Sequence, residues 1–159
     1  MKARILNLFI LFLMTGVVSA QTSFSDGLSK GKLQNKKILV NIYSENDAWS
    51  QKMDKVYSNG NISSYVNSNF IYVKLNSNGS DNISYGGKEY TSSSLSKYFG
   101  ATGYPTHIFL SPDGTILKFL YNGESVSSFS GYLDSGDFEK LLKYFAENKY
   151  QNTDLSKVL

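Results

Sequence analysis

Gly103-Tyr104-Pro105-Thr106-His107-Ile108-Phe109-Leu110-Ser111-Pro112-Asp113-Gly114 is the stretch that decides how the rest of the chain is read. Residues 107–110 form an apolar run, and Ser111-Pro112-Asp113-Gly114 supplies turn chemistry, since proline presets φ and Asp-Gly tolerates a tight reversal. The chain is therefore expected to turn back into residues 116–121 as an antiparallel partner. Upstream, residues 38–43 (Ile-Leu-Val-Asn-Ile-Tyr) are apolar with little alternation, which suits a central strand covered on both faces. Cap-forming Ser44-Glu45-Asn46-Asp47 follows, and then Trp49, Met53 and Val56 recur at helical spacing.

The remaining elements extend this core in both directions. A short helix over residues 62–66 leads into a strand over 70–75, so strand, helical connection and strand predict a right-handed crossover with parallel pairing. Residues 76–94, rich in Ser, Asn and Gly, read as a long surface loop. Leu95, Tyr98 and Phe99 suggest a helical turn ending at Gly100. Phe138, Leu141, Leu142 and Phe145 give one apolar face of a C-terminal helix with Asp134 or Ser135 as cap. Ahead of the first strand, residues 21–37 predict a loose, glycine-interrupted helix that turns Phe24 and Leu28 inward. Four strands with flanking helices make a three-layer α/β sandwich around a central mixed sheet.

Residues 1–20 read as an address. Lys2 and Arg4 precede an apolar run over residues 5–18, shorter than the ~20 residues a membrane-spanning helix needs, and Val18-Ser19-Ala20 offers small residues for cleavage. The expected arrangement is a signal peptide at 1–20 and one domain at 21–159, exported to the periplasm or beyond the cell. Two of the sixteen basic residues lie in that leader, so the remainder nearly balances the thirteen acids and exerts no pull toward nucleic acid or anionic lipid. Arg4 is the only arginine, which removes bidentate phosphate recognition from the rest of the chain.

Cysteine is absent from all 159 residues. A thiolate is both the attacking and the leaving group of disulfide exchange, so dithiol chemistry is excluded for this sequence. One histidine and no cysteine also fail to furnish a usual zinc site. Asn76, Asn78, Asp81 and Asn82 have a calcium-loop flavour but lack the acidic spacing and the bidentate Glu. No metal and no cofactor is expected.

From residue 38 to residue 121 the sequence nevertheless resembles exported bacterial thioredoxin-like proteins. The resemblance is carried by the Tyr104-Pro105-Thr106 segment with its following hairpin, and by Asp47-Ala48-Trp49-Ser50-Gln51-Lys52-Met53, which is similar to the family's Cys-x-x-Cys-Lys-x-Met with Asp47 and Ser50 where the cysteines would stand. It implies a thioredoxin-like sandwich, a cis Pro105 facing the start of the helix, and a groove in which the backbone of Tyr104 pairs with an extended peptide. At the helix start, where a family thiolate would be stabilised, Asp47 would instead place a carboxylate able to cap the helix, unless a one-residue shift gives that role to Asn46.

These residues support three functional readings. The first is a redox-inactive protein that binds a polypeptide or a partner protein non-covalently at Trp49, Tyr104, Pro105 and Thr106, with amphipathic rings flanking the groove. The second is an enzyme repurposed around Asp47, Ser50 and His107, which would need a base hydrogen-bonded to the serine. The third is a structural envelope subunit that uses the tyrosine-rich residues 85–104 as its contact surface. Partner identity and oligomeric state are not encoded in any motif.

Overall fold

Strand β1, Lys37–Tyr43, is the axis of the molecule. In the computed structural model, which describes residues 22–159, it pairs in parallel with β2, Phe70–Asn76, and antiparallel with β5, Thr106–Leu110. A two-residue strand β8, Phe129–Ser130, adds to β5, giving a mixed sheet of order β2-β1-β5-β8. The five central residues of β1 are all buried, because both faces of the sheet are covered. The leader expected at residues 1–20 lies outside the described residues.

On one face, Ile38, Val40 and Ile42 pack with Val73, Leu75, Ile108 and Leu110 beneath helices α1 (Phe24–Gln34) and α4 (Ser92–Tyr98). On the other, Leu39, Phe70 and Phe109 pack beneath α2 (Ala48–Tyr57), α3 (Gly60–Asn69) and α5 (Ser135–Ala146). The rings of Phe109 and Phe145 stack there with centroids 3.7 Å apart. This is the expected three-layer sandwich.

Local chemistry explains how the helices start and how closely they lie. Asn59 caps α3 through its side-chain oxygen, which accepts from the backbone N–H groups of Asn61 and Ile62, and Asp134 caps α5 through Gly136 and Asp137. Helix α1 approaches the sheet at two glycines one turn apart. A Cβ on Gly27 would lie 2.3 Å from Cγ2 of Val73, and one on Gly31 would lie 2.7 Å from Ile38. The glycines that make this helix look weak in sequence are what let it seat, with Phe24 buried and Leu28 half-buried.

Two expectations are corrected. Residues 76–94 are largely regular: β3 (Asn82–Tyr85) and β4 (Lys88–Thr91) form an antiparallel hairpin across Gly86 and Gly87, both at positive φ, and α4 begins immediately after. The hairpin is anchored because Tyr85 Oη donates to the carbonyl of Gly114, 2.8 Å away, and its ring packs on Phe24 and Phe99. The turn at Ser111–Gly114 forms, but past a single bridge between Leu110 and Ile116 the chain leaves the sheet. Strand β6, Phe119–Tyr121, pairs instead with β7, Glu124–Val126, in a separate ribbon, and β8 takes the place beside β5. The ribbon turn at Asn122 and Gly123 is held by the Asp154 carboxylate, which accepts from both N–H groups.

Candidate binding cleft at the start of helix α2

The C-terminal end of β1 delivers the chain into α2 through Ser44-Glu45-Asn46-Asp47. Asp47, rather than Asn46, is the cap: its Oδ1 accepts from the Ser50 N–H at 2.6 Å. Ser50 itself is buried, and its Oγ accepts from the Ser44 N–H at 3.3 Å, closing the turn from inside. Asn76, the last residue of β2, donates to Glu45, and Asn78, on the loop that follows, donates to Ser44 Oγ, so these asparagines staple the end of β2 to the turn before α2. The two positions similar to the family's cysteines therefore hold the helix start in shape.

Trp49 stands one residue inside α2 and is 53% exposed, while its helical companions Met53 and Val56 are buried. Its ring faces Tyr132, with centroids 5.5 Å apart. Trp49, Tyr132, Tyr104 and Gly131 line a cleft of 310 Å³. Lys52, one turn along the helix, places its ammonium 4.9 Å from the Trp49 ring centroid and 4.4 Å from that of Tyr132. An ammonium over two ring faces is drawn by both quadrupoles.

The Tyr104–Pro105 peptide is cis. Behind the cleft, Pro105 is buried and its carbonyl accepts from the Gly131 N–H at 2.8 Å, while the Thr106 hydroxyl donates to the Gly103 carbonyl and shares a hydrogen bond with Ser130 Oγ, both at 2.7 Å. Of the four residues expected to contact a peptide, Trp49 and Tyr104 reach the cleft, and Pro105 and Thr106 form its backing. Among the described residues, neither the N–H nor the carbonyl of Tyr104 has a hydrogen-bond partner. Gly131 and Tyr132 belong to no sequence motif, and Lys52 enters the sequence reading only as part of the segment similar to the family's Lys-x-Met. Lys52 carried a signal, its i+3 spacing from Trp49; Gly131 and Tyr132 reach the cleft only through the pairing of β8 with β5, which no local pattern announces.

His107 does not join Asp47 and Ser50. It is fully buried in β5, packed on Phe138, with Nδ1 3.1 Å from Tyr57 Oη. Burial pulls its pKa down to about 4, against a weaker opposing effect of the Gly131 backbone. Its cross-strand neighbour Asn41 donates to Tyr72 Oη at 3.2 Å. Burial likewise raises the pKa values of both tyrosines. Neither Nε2 of His107 nor Oδ1 of Asn41 has a hydrogen-bond partner among the described residues. With Ser50 bonded to Ser44 and His107 to Tyr57, the serine has no adjacent base, so the geometry of nucleophilic catalysis is not assembled.

The family model Thioredox_DsbH, described as a protein of unknown function, DUF255, matches residues 11–157. The chain belongs to the Thioredox_DsbH family. Among curated proteins, none matches the sequence. Solved structures similar to this Thioredox_DsbH member include a thioredoxin-fold protein from Helicobacter pylori, at 18% identity and TM-score 0.60, covering 78% of this chain and 80% of that one. A thioredoxin from Thermus thermophilus matches at 18% identity and TM-score 0.56, over 79% and 85% of the two chains. A protein described as DsbH oxidoreductase matches at 13% identity and TM-score 0.55, over 80% and 84%. At these identities the likeness establishes the thioredoxin-like fold. This Thioredox_DsbH sequence contains no cysteine and so has no thiolate with which to perform dithiol exchange.

Proposed function

We propose that this protein is an exported, redox-inactive thioredoxin-fold module that binds polypeptide non-covalently in the cleft between Trp49, Tyr104 and Tyr132. One observation carries the reading: the only tryptophan of the chain is more than half exposed beside two tyrosines and a main-chain donor and acceptor at Tyr104 that have no partner among the described residues. A large exposed ring of this kind gives much contact area at small entropic cost. An extended peptide would satisfy the free backbone groups by adding a short stretch of strand. Covalent capture is replaced by shape and hydrogen bonding. The basic residues and apolar run of residues 1–20, read as a leader, support delivery to a compartment outside the cytoplasm.

Amide shift mapping of the 21–159 chain with unfolded polypeptide tests this directly. Perturbations should centre on residues 49–52, 104 and 131–132. Saturating peptide that leaves all of these resonances in place would remove the reading.

A second reading is favoured by a different surface. Tyr98 is 55% exposed and contacts Tyr85, Tyr90 and Phe99 above a 480 Å³ cleft lined also by Leu28, Ile116 and Lys118. On this reading the β3–β4 hairpin and α4 bind an envelope protein and the fold is a scaffold. Crosslinking from a photoreactive residue at position 98, compared with one at position 49, separates the two surfaces in native envelope fractions.

A further inference from the structure

Lys52 gives the cleft a charge preference. Its ammonium is exposed, lies against the rings of both Trp49 and Tyr132, and makes no salt bridge among the described residues. Acids on the neighbouring elements are engaged elsewhere, and Asp54, two residues along α2, pairs with Lys74. Asp47 Oδ1 accepts from Ser50 N–H at the start of α2, and Asp134 Oδ1 accepts from Gly136 and Asp137 N–H at the start of α5. Glu45 accepts from Asn76. The two aspartates oppose the positive ends of their helices, which offsets their field locally. The contacts the Lys52 ammonium makes are with ring faces, which attract it without neutralising its charge.

We propose that the cleft selects polypeptide segments that bring a carboxylate to Lys52. The inference rests on the peptide-binding reading above and specifies which peptides that site takes. The ring contacts hold the lysine head over the wall of the cleft, so a ligand carboxylate meets a donor whose position is already restricted, and less rotamer freedom is lost on binding. An apolar or aromatic neighbour on the ligand would lie on Trp49 and Tyr104. The carboxylate has two sources, an Asp or Glu side chain within a chain or a free C-terminus, and the same ammonium serves either.

Trp49 is the sole tryptophan, so its emission reports on this cleft alone. Four peptides of one apolar, tryptophan-free sequence are titrated into the 21–159 chain: Glu at the central position with an amidated end, Gln with a free carboxyl end, Gln with an amidated end, and Lys with an amidated end. At least one carboxylate-bearing peptide should bind about three- to fivefold tighter than the neutral one, and the lysine peptide more weakly than it. Which of the two gains identifies the source. The preference should shrink in high salt, persist in Lys52→Arg and disappear in Lys52→Gln, an exposed substitution whose folding is checked by circular dichroism.

Equal affinity for charged and neutral peptides, or an acidic preference that survives in Lys52→Gln, overturns the charge inference and leaves peptide binding standing. Absence of binding by all four, with no amide shift at the cleft, overturns both.

Discussion

Acidification should weaken the fold through one residue, His107. In the unfolded chain the imidazole takes a proton near its ordinary pKa of 6.5, whereas in the native protein burial delays protonation to about 4. Between those values the unfolded state binds more protons than the native one, so stability rises with pH across the window and is lost as pH falls through it. Above pH 6.5 the contribution is complete. The gap, at 1.36 kcal/mol per unit, corresponds to about 3 kcal/mol lost by the lower end of the window. With a urea m-value of ~1.5 kcal/mol/M, the denaturation midpoint should fall by about 2 M. The charge has little nearby to receive it: Nδ1 faces the Tyr57 hydroxyl, the ring faces Phe138, and Asn41 sits across the strand pair. Urea denaturation at several values from pH 7.5 to 4 measures the slope, and His107→Gln or His107→Phe should flatten it. Because the chain has one histidine, its ring proton resonances give the native midpoint without ambiguity. Asp154, held down to about 2 by Ser156 and the Gly123 N–H, loses its contribution at lower pH, below the ordinary carboxylate range, so the upper part of the window isolates the histidine. A histidine midpoint near 6.5 in the folded protein, or equal slopes for wild type and both variants, would refute the argument.

Three further substitutions probe other parts of the structure. Asp47→Ala removes the side-chain cap of α2 and should cost ~0.5–2 kcal/mol by chemical denaturation, with Asp47→Asn close to wild type. Gly27→Ala would set a methyl 2.3 Å from Val73 Cγ2; the gain of ~1 kcal/mol in helix propensity is outweighed, and a net loss of ~1–2 kcal/mol is expected in the same assay. Tyr85→Phe deletes the hydrogen bond to the Gly114 carbonyl and should cost ~0.5–1.5 kcal/mol, with amide exchange accelerated first in the β3–β4 hairpin.

How much of this was legible follows from where burial acts. The strand at Lys37–Tyr43 is covered on both faces, so its apolar run declares it, and the face of α5 repeats at helical period because one side alone is buried. The β3–β4 hairpin hides because five of its eight strand residues are polar or charged, and of the other three, Ile83, Tyr85 and Tyr90, only Ile83 is buried. Its one signal was Gly86-Gly87 between short alternating segments, the composition of a tight reversal. Strand β8 has two residues, too few for any periodicity, and it displaces residues 116–121 because the fit beside β5 is decided by tertiary packing. At the site, the capping role of Asp47 could be read from residue type and position. The second wall of the cleft could not, because Gly131 and Tyr132 lie far along the chain from Trp49 and are brought to it by the pairing of β8 with β5.

The two walls of the cleft are built differently. Residues 103–106 and 130–131 are laced to each other by the Gly131–Pro105 main-chain bond and by the Thr106 hydroxyl, making a fixed plate. Opposite it, Trp49 and Lys52 meet Tyr132 through ring and cation contacts between side chains. Rotation about side-chain bonds is fast and leaves the backbone in place. One wall is therefore fixed by main-chain bonds, while the other is set by which rotamers Trp49, Lys52 and Tyr132 hold together, so the width of the opening is decided by side chains and not by the fold. On the proposed peptide-binding reading, such a cleft would trade tightness for breadth.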